Sequence, residues 1–458
     1  MITLSLQQIT TALQGKLINS NDTSIGSVST DSRQFEDCGL FIALKGERFD
    51  AHDFAQAAVN NGAKALLVER ELAINIPQII VANTHKALGQ LGAFVRQQVK
   101  PIALALTGSN GKTSVKEMVA TILSQQFQVL FTAGNFNNDI GVPLTLLRLS
   151  MGDQYGVFEL GANHKGEIDY TSKLVQPKVA LVNNIGSAHL EGFGSIEGIA
   201  QAKSEIFNHL QADGVAVINA DDKFAAFMMQ KTSAFKQLLF SRQAHTQADI
   251  CASHLIANAQ GCYSFRINYQ EQQVDVQLPL AGEHQVSNAL AASAMCLALG
   301  LDLRFIAQGL SLLGPVKGRM QPKTLGRFLV VDDSYNANPS SVSAAINWLQ
   351  QRDEYRCLVL GDLGELGDNA ALLHAEVGQQ AKSAAINALY CCGTLSKHAS
   401  DAYGCEHYQD VEQLSKALII KLNDLSGSVT VLVKGSRSAA MERVVDLLVD
   451  AFGCGELV

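Results

Sequence analysis

The chain has 458 residues, of which 47% are hydrophobic and 17% charged, which predicts a globular protein of about three domains. The formal net charge of -8 argues against broad electrostatic binding to nucleic acid or to an anionic membrane surface. The sequence has neither an apolar stretch of about twenty residues nor a basic, apolar N-terminal signal, so neither a membrane span nor secretion is expected.

Residues 1–100 are predicted to form a small α/β domain. Short apolar runs at 40–44, 63–68 and 79–81 are typical of buried strands, and short helical patterns lie between them. The domain is expected to end near Lys100.

Residues 101–313 alternate between apolar runs and helical patterns, which predicts a central domain with a mostly parallel sheet and helices on both faces. The run at 102–106 is its first strand, and apolar residues at helical spacing follow from Lys112. Further strands are predicted at 157–160, 179–182 and 215–218, and helices at 196–210 and 284–299. Apolar and polar residues alternate over 262–280, which predicts an antiparallel hairpin.

Residues 314–458 are predicted to form a third, doubly wound, Rossmann-like α/β domain. Its strands are expected at 328–331, 357–360, 388–392 and 429–433, with helices between them. Cys391 and Cys392 lie in one of these strands, and none of the nine cysteines shows the paired spacing of a zinc site. Reduced thiols in a cytoplasmic protein are therefore expected.

The clearest local signal for function is the segment TGSNGKT at residues 107–113, which follows an apolar strand and opens an amphipathic helix. Its glycines allow backbone N–H groups to turn towards phosphate oxygens, and the helix N-terminus adds partial positive charge. Lys112 has the length to reach the outer phosphates of a nucleotide, and the Thr113 hydroxyl suits Mg²⁺. The Gly-x-x-Gly-Lys-Thr spacing is tighter than that of the common triphosphatase loop, and predicts a compact triphosphate site.

This loop resembles the ATP loop of the Mur ligases and the folylpolyglutamate synthetases, and the resemblance covers nearly the whole chain, with its motifs in the family's order. It implies ATP and Mg²⁺ as cofactors and a nucleotide-binding loop at Gly108, Ser109, Asn110, Gly111, Lys112, Thr113 and Ser114. Thr113, Glu159 and His189 match the family's Mg²⁺ ligands, and Glu159 ends a predicted strand, where a carboxylate faces the ligand crevice. Lys203 matches a lysine that several Mur ligases carry as a carbamate.

Other matches bring in the rest of the nucleotide site. His284 and Asn288, four residues apart on one predicted helix face, match the family residues that contact adenine. Arg319 matches an arginine that reaches the ATP phosphates when the third domain closes, a role that suits a permanently charged guanidinium. Asp333 matches the residue that holds the nucleotide from the C-terminal side. The catalytic residues that the resemblance implies are Lys112, Glu159, His189, Lys203 and Arg319.

Three segments, at 333–339, 360–367 and 434–437, resemble the members of the family that add D-alanyl-D-alanine to a UDP-N-acetylmuramoyl-tripeptide. The Asp-Asn-Pro-Arg segment that selects the third amino acid in the tripeptide synthetases does not occur. The resemblance implies small-molecule substrates, a monomer, and substrate contacts at Ser32, Arg33, Lys45, Gly46, Asn135, Asn138, Asn336, Asn338, Ser436 and Arg437. It leaves open whether the third residue of the tripeptide is lysine or diaminopimelate.

The reaction that follows from this resemblance is ATP-dependent ligation through an acyl phosphate. Two other ligases of the same superfamily, the tripeptide synthetase and folylpolyglutamate synthetase, stay open as alternatives. A regulatory nucleotide switch is disfavoured by the dedicated N-terminal and C-terminal domains. A dinucleotide-dependent oxidoreductase is disfavoured because no G-x-G-x-x-G opens a helix after a strand.

Overall fold

The structure, a computed structural model, describes residues 1–33, 35, 39–46, 49–186, 190–245 and 247–453. Within these residues the chain forms three successive α/β units, each built on its own larger sheet. The sheets contain strands from residues 16–80, 102–281 and 321–434. The three-domain α/β fold expected from the sequence is confirmed, whereas the boundaries near residues 100 and 313 stay predictions.

The N-terminal unit has a five-stranded sheet in the order β2-β7-β6-β5-β4 and a separate β1-β3 pair, as far as the structure describes it. Its elements are β1 (Leu4–Ser5), α1 (Leu6–Leu13), β2 (Lys16–Ile18), β3 (Ser24–Ile25), β4 (Ser27–Ser29), β5 (Gly39–Ile42), α2 (Ala55–Asn60), β6 (Ala65–Val68), β7 (Gln78–Ile80) and α3 (Thr84–Val99). Leu88 and Leu91 of α3 belong to the same apolar core as Val142 and Leu146 of the next unit. This shared core fixes the first unit against the second.

The central unit has nine described strands in the order β16-β15-β14-β13-β12-β11-β8-β10-β9. Its strands are β8 (Ile102–Thr107), β9 (Val129–Phe131), β10 (Tyr155–Glu159), β11 (Val179–Val182), β12 (Val215–Asn219), β13 (Lys236–Ser241), β14 (Ile250–Ala257), β15 (Cys262–Tyr269) and β16 (Gln272–Ala281). Its helices are α4 (Lys112–Ser124), α5 (Gly141–Leu147), α6 (Glu167–Val175), α7 (Leu190–Phe193), α8 (Ile196–Ser204), α9 (Ala225–Lys231), α10 (His284–Leu297) and α11 (Leu303–Ser311).

Strands β8 to β14 are parallel, and β14, β15 and β16 form an antiparallel extension. Strand β8 lies between β10 and β11, so β9 and β10 lie on one side of it and β11 and β12 on the other. Ligand sites in open α/β sheets form at such switch points, beyond the carboxyl ends of the strands. The loops after β8, β10 and β11 therefore meet at one crevice.

The C-terminal unit has six described strands in the order β17-β18-β22-β19-β20-β21, all parallel except β17. Its strands are β17 (Gln321–Leu325), β18 (Phe328–Asp333), β19 (Tyr355–Gly361), β20 (Ala388–Cys392), β21 (His407–Tyr408) and β22 (Val429–Lys434). Its helices are α12 (Pro339–Gln350), α13 (Ala370–Ser383), α14 (Lys397–Tyr403), α15 (Val411–Asp424) and α16 (Glu442–Phe452). Helix α12 begins with a capping box in which the Asn338 side chain accepts from Ser341 N, and Pro339 occupies its first turn.

The predicted hairpin at 262–280 is confirmed as β15 and β16, and β14 adds a third strand to it. The cysteines that the structure describes form no disulfide; Cys38 and Cys454 lie outside the described residues. Across the described ranges, no helix combines the length and the apolar character that a membrane crossing requires.

A candidate active site between the central and C-terminal units

The crevice beyond β8, β10 and β11 is part of a cavity of about 580 Å³ that the C-terminal unit covers from the other side. A cavity of this size is within the usual range for small-molecule sites. Its wall includes most of the residues predicted for nucleotide binding, namely Ser109, Asn110, Gly111, Lys112, Thr113, Ser114, His284, Asn288, Arg319 and Asp333. Glu159, Asn135, Asn138, Asn336, Asn338 and Arg437 also line it.

The phosphate loop joins β8 to α4 through a conformation that needs glycine. Gly111 is the N-cap of α4 and has φ of 77°. A Cβ atom at this position would lie 2.3 Å from Asn288 Oδ1 and 2.7 Å from Asn183 Nδ2. Both the left-handed backbone and the close neighbours therefore exclude a side chain. The loop backbone is held in place by Asn184, whose Oδ1 accepts from Asn110 N at 2.8 Å.

Lys112 is the half-buried cation of this loop. Its Nζ donates to the Gly108 carbonyl at 2.7 Å. Burial lowers the pKa of Lys112, and the negative charge of Glu159 opposes that change. An ammonium group held at the N-terminus of a helix, inside a cavity, suits a polyphosphate.

Glu159 and Thr113 form a second polar cluster beside Lys112. The Thr113 hydroxyl donates to Glu159 Oε2 at 2.9 Å, and Asn137 Nδ2 donates to Glu159 Oε1 at 2.8 Å. Glu159 is only 3% exposed, yet the hydrogen bonds of its carboxylate come from neutral groups. A buried carboxylate next to a hydroxyl offers the hard oxygen donors that Mg²⁺ prefers, so these residues fit the ion.

Arg319 reaches the phosphate loop from the C-terminal side. Its Nη2 donates to Thr113 Oγ1 at 2.8 Å, and its guanidinium carbon lies 4.4 Å from the centre of the Tyr335 ring. Tyr335 N also donates to the Gly318 carbonyl at 3.1 Å. Stacking on an aromatic ring fixes the direction of a guanidinium while leaving its N–H groups free to bind anions. Arg319 and Lys112 therefore place two cations around one point of the cavity.

Lys203 lies behind this cluster rather than in the cavity wall. It is near the C-terminus of α8 and 1% exposed. Burial, together with the positive charge of Lys112, holds the pKa of Lys203 well below its ordinary value, and Glu159 opposes this shift. The amine therefore gives up its proton more readily than an exposed lysine does.

A network of amides lies beside the loop at the first two turns of α10, which contain His284 and Asn288. Asn183 Nδ2 donates to Asn288 Oδ1 at 3.0 Å, and Asn288 Nδ2 donates to Gln285 Oε1 at 2.9 Å. Burial lowers the pKa of His284, which favours its neutral form. Neutral donors and acceptors of this kind are suited to the edge of a nucleobase.

An ion pair at the carboxyl ends of β18 and β22 closes the C-terminal wall. Lys434 Nζ lies 2.6 Å from Asp333 Oδ2, and the side chains are 3% and 14% exposed. Asp333 Oδ1 also accepts from Met320 N at 3.2 Å, next to Arg319. The pair thus links the two strand ends to the segment that carries the arginine.

Several residues predicted from the resemblance lie elsewhere. Gly108 contributes its carbonyl to Lys112 but does not line the cavity, and Ser436 is buried and does not line it either. Ser32, Arg33, Lys45 and Gly46 lie in the N-terminal unit outside this cavity. His189 lies outside the described residues.

Arg33 is an exposed residue of the N-terminal unit and has a local partner. Its Nη2 lies 2.7 Å from Asp31 Oδ2, and this hydrogen bond lowers the pKa of Asp31 to about 2.

The cavity wall also contains residues that were not predicted as site residues, including Asn137, Asn163, Glu167, Asn184, Gln285, Tyr335, Ser340, Glu365 and Lys434. Tyr335 and Lys434 lie inside the segments 333–339 and 434–437, and Asn137 lies between the predicted residues Asn135 and Asn138, so these segments were the available signal. Glu167 opens α6 and carried no such signal.

Models of Mur ligase domains match three consecutive parts of the chain. The Mur ligase family catalytic domain matches residues 24–100, the Mur ligase middle domain matches 106–296, and the Mur ligase glutamate ligase domain matches 318–437.

Full-length relatives agree with these matches. The UDP-N-acetylmuramoyl-tripeptide--D-alanyl-D-alanine ligase of Escherichia coli (strain K12) is 47% identical over 459 residues, covering 99% of this chain and 100% of that protein. A crystal structure of MurF from Acinetobacter baumannii superposes with a TM-score of 0.93 at 40% identity, covering 98% of this chain and 99% of that one. The MurF ligase of Thermotoga maritima in complex with ADP has a TM-score of 0.82 at 26% identity, covering 94% and 98%. The chain belongs to the Mur ligase family.

Proposed function

We propose that this chain is an ATP-dependent ligase that joins D-alanyl-D-alanine to UDP-N-acetylmuramoyl-tripeptide, giving the UDP-linked pentapeptide, ADP and phosphate. The observation that carries the proposal is the cavity in which Lys112, Thr113 and Glu159 face Arg319 across the junction of two units. The ligases named above, similar over nearly the full length of the chain, supply the substrate identity.

ATP is the phosphoryl donor in this proposal. The Thermotoga maritima relative has ADP bound, and the loop at 107–113 has the backbone geometry and cation that phosphates need. Thr113 and Glu159 would hold Mg²⁺, and His189 is proposed for a second ion. Bound Mg²⁺ would supply positive charge beside the phosphates.

The reaction proceeds in two steps. An oxygen of the terminal carboxylate of the tripeptide attacks the γ-phosphorus of ATP, ADP leaves, and an acyl phosphate forms. The amine of D-alanyl-D-alanine then attacks the acyl carbon, loses a proton, and expels phosphate with the oxygen that came from the carboxylate. Lys112 and Arg319 offset the charge on the phosphoryl group during transfer, which is where such catalysis mainly acts.

Lys203 is proposed to carry a carbamate. Its lowered pKa makes the neutral amine accessible, and that amine attacks CO₂ and loses a proton to give a carboxylate-like group. This would replace a buried cation beside Lys112 with an anion, which removes a repulsion. Native mass spectrometry tests this: the intact protein should gain one CO₂ unit in bicarbonate, and a Lys203→Met variant should not.

The remaining assignments follow the family positions. Ser32, Arg33, Lys45 and Gly46 are proposed to bind the UDP-muramoyl part, and Asn135 and Asn138 the end of the peptide near the phosphates. Asn336, Asn338, Ser436 and Arg437 are proposed for the dipeptide, with Arg437 suited to its carboxylate because a guanidinium pairs with both oxygens. A monomer acting in the cytoplasm is proposed.

The decisive assay is phosphate release from ATP by the purified protein with Mg²⁺. Parallel reactions contain UDP-N-acetylmuramoyl-tripeptide with D-alanyl-D-alanine, UDP-N-acetylmuramoyl-dipeptide with single amino acids, or folate with glutamate. Release that requires the first pair supports the proposal. Release with either of the other pairs alone would assign the chain to one of the alternative ligases.

A further inference from the structure

The asparagine at the tip of the phosphate loop binds the C-terminal unit through its side chain. Asn110 Oδ1 accepts from Asn338 Nδ2 at 2.8 Å, and Asn110 Nδ2 donates to Ser340 Oγ at 2.8 Å. Ser340 Oγ in turn donates to Asn338 Oδ1 at 2.9 Å. The three side chains thus form a closed triangle of hydrogen bonds across the boundary between the two units.

Both sides of this triangle are held firmly. The Asn110 carbonyl accepts from Asn183 Nδ2 and from Asn184 Nδ2, each at 3.0 Å, so the loop tip is bound to the end of β11. Asn338 is the N-cap of α12, and its Oδ1 also accepts from Ser341 N at 2.9 Å. The triangle therefore joins two segments that other hydrogen bonds already hold in place, the phosphate loop and the N-terminus of α12.

We infer that Asn110, Asn338 and Ser340 form a latch that holds the C-terminal unit on the phosphate loop, and so keeps Arg319 at Thr113. This rests on the proposed function. Asn110 lies between Gly108 and Gly111 in the loop that would surround the phosphates, so the loop cannot rearrange around a nucleotide without moving the latch. Closure of the C-terminal unit and occupation of the loop are thereby coupled.

The latch makes Ser340 and Asn338 positioning residues. Both acceptor sites of Asn338 Oδ1 are already used, by Ser340 and Ser341. Asn338 Nδ2 donates one of its two N–H groups to Asn110, so the dipeptide contact proposed above for Asn338 would use the other. Loss of either side chain should reduce the stabilisation of the transition state, in which Arg319 acts. It should leave the binding of the UDP substrate unchanged.

The other end of α12 provides a spectroscopic reporter. Trp348 is the single tryptophan of the sequence and is 5% exposed. A Cβ atom on Gly261, in the turn before β15, would lie 2.3 Å from Trp348 Nε1, so the central unit covers the edge of the indole. Arg352 also donates to the Ala259 carbonyl in this turn. Opening of the C-terminal unit should expose the indole to a quencher.

The test compares Ser340→Ala with Ser343→Ala in the full chain. Ser343 is on the same helix but bonds within the C-terminal unit, to Gln380 Oε1 at 2.6 Å. We expect Ser340→Ala to increase acrylamide quenching of Trp348 with ADP and Mg²⁺ present. We also expect it to lower kcat roughly 2- to 10-fold, the usual range for one lost hydrogen bond, with the KM for the UDP substrate unchanged. Ser343→Ala should match the wild type.

A second variant distinguishes loss of the latch from a structural change confined to the surroundings of Ser340. Asn338→Asp keeps a good helix cap but loses the donor to Asn110, so it should shift quenching and kcat in the same direction. Ser340→Ala and Asn338→Asp proteins that equal Ser343→Ala in both measurements would overturn the latch. If the wild type ligates nothing, the proposed function fails, and the quenching comparison alone still decides the latch.

Discussion

Replacement of Glu159 with glutamine isolates the charge of the buried carboxylate. Glutamine has the same shape, and its carbonyl oxygen can still accept from Asn137 Nδ2. Its amide can donate to the Thr113 hydroxyl, which already accepts from Arg319 in the wild type. The fold should therefore persist while the negative charge disappears. Loss of one preorganised electrostatic group typically costs about 2.7–4 kcal/mol, or roughly 10²- to 10³-fold in kcat. Because Glu159 is only 3% exposed, water screens its charge little, and we expect the upper part of that range.

Phosphate release with both substrates and increasing Mg²⁺ measures this effect. We expect Glu159→Gln to lower kcat by that factor and to need more Mg²⁺ for half-maximal rate. Glu271→Gln, the same change on the exposed turn between β15 and β16, is the control and should behave as the wild type. A Glu159→Gln protein that folds normally and keeps kcat within about 3-fold of the wild type at all Mg²⁺ concentrations would refute the reasoning.

Three other changes have defined outcomes. Lys434→Met leaves Asp333, whose side chain is only 14% exposed, without its cation and should lower the free energy of unfolding by about 3–5 kcal/mol in urea; a loss below about 1 kcal/mol would contradict this. Asp139, 2.9 Å from His85 Nε2, raises the pKa of His85 through their hydrogen bond, which in turn lowers the pKa of Asp139. The stability that the His85–Asp139 pair gives the folded state is fully present below pH 6.5 and is lost as pH rises through the raised pKa of His85. The melting temperature of the wild type should therefore fall towards that of His85→Gln at alkaline pH. A constant difference between them would contradict the pairing. Arg437→Ala should raise the KM for D-alanyl-D-alanine about 10-fold, and unchanged dipeptide affinity would remove Arg437 from the site.

The sequence was informative about the fold where strands are buried on both faces. Strands β11 and β12 are continuous apolar runs, because helices cover both sides of the sheet, and they were predicted within one residue. Strand β17 was missed because it contains Pro322 and polar residues, which is typical of an edge strand. Strand β9, which has only three residues and lies at one edge of the central sheet, was also missed.

The candidate site could be predicted only where one short segment carries the signal. The phosphate loop and the strand-ending Glu159 are local features, because glycine spacing and a carboxylate after an apolar run are visible in the sequence. The contact of Arg319 with Tyr335 and the bond of Asn110 to Ser340 join residues of different segments. Such pairings depend on how the units dock, and no periodicity in the chain encodes them.

The central claim is that the loop at 107–113 holds ATP so that a peptide carboxylate attacks its γ-phosphate. The measurement that tests it most directly follows a heavy oxygen isotope placed in the terminal carboxylate of UDP-N-acetylmuramoyl-tripeptide. Mass spectrometry of the phosphate released with ATP and D-alanyl-D-alanine should find one labelled oxygen per phosphate. Unlabelled phosphate accompanying pentapeptide formation would mean that no acyl phosphate forms and would contradict the account.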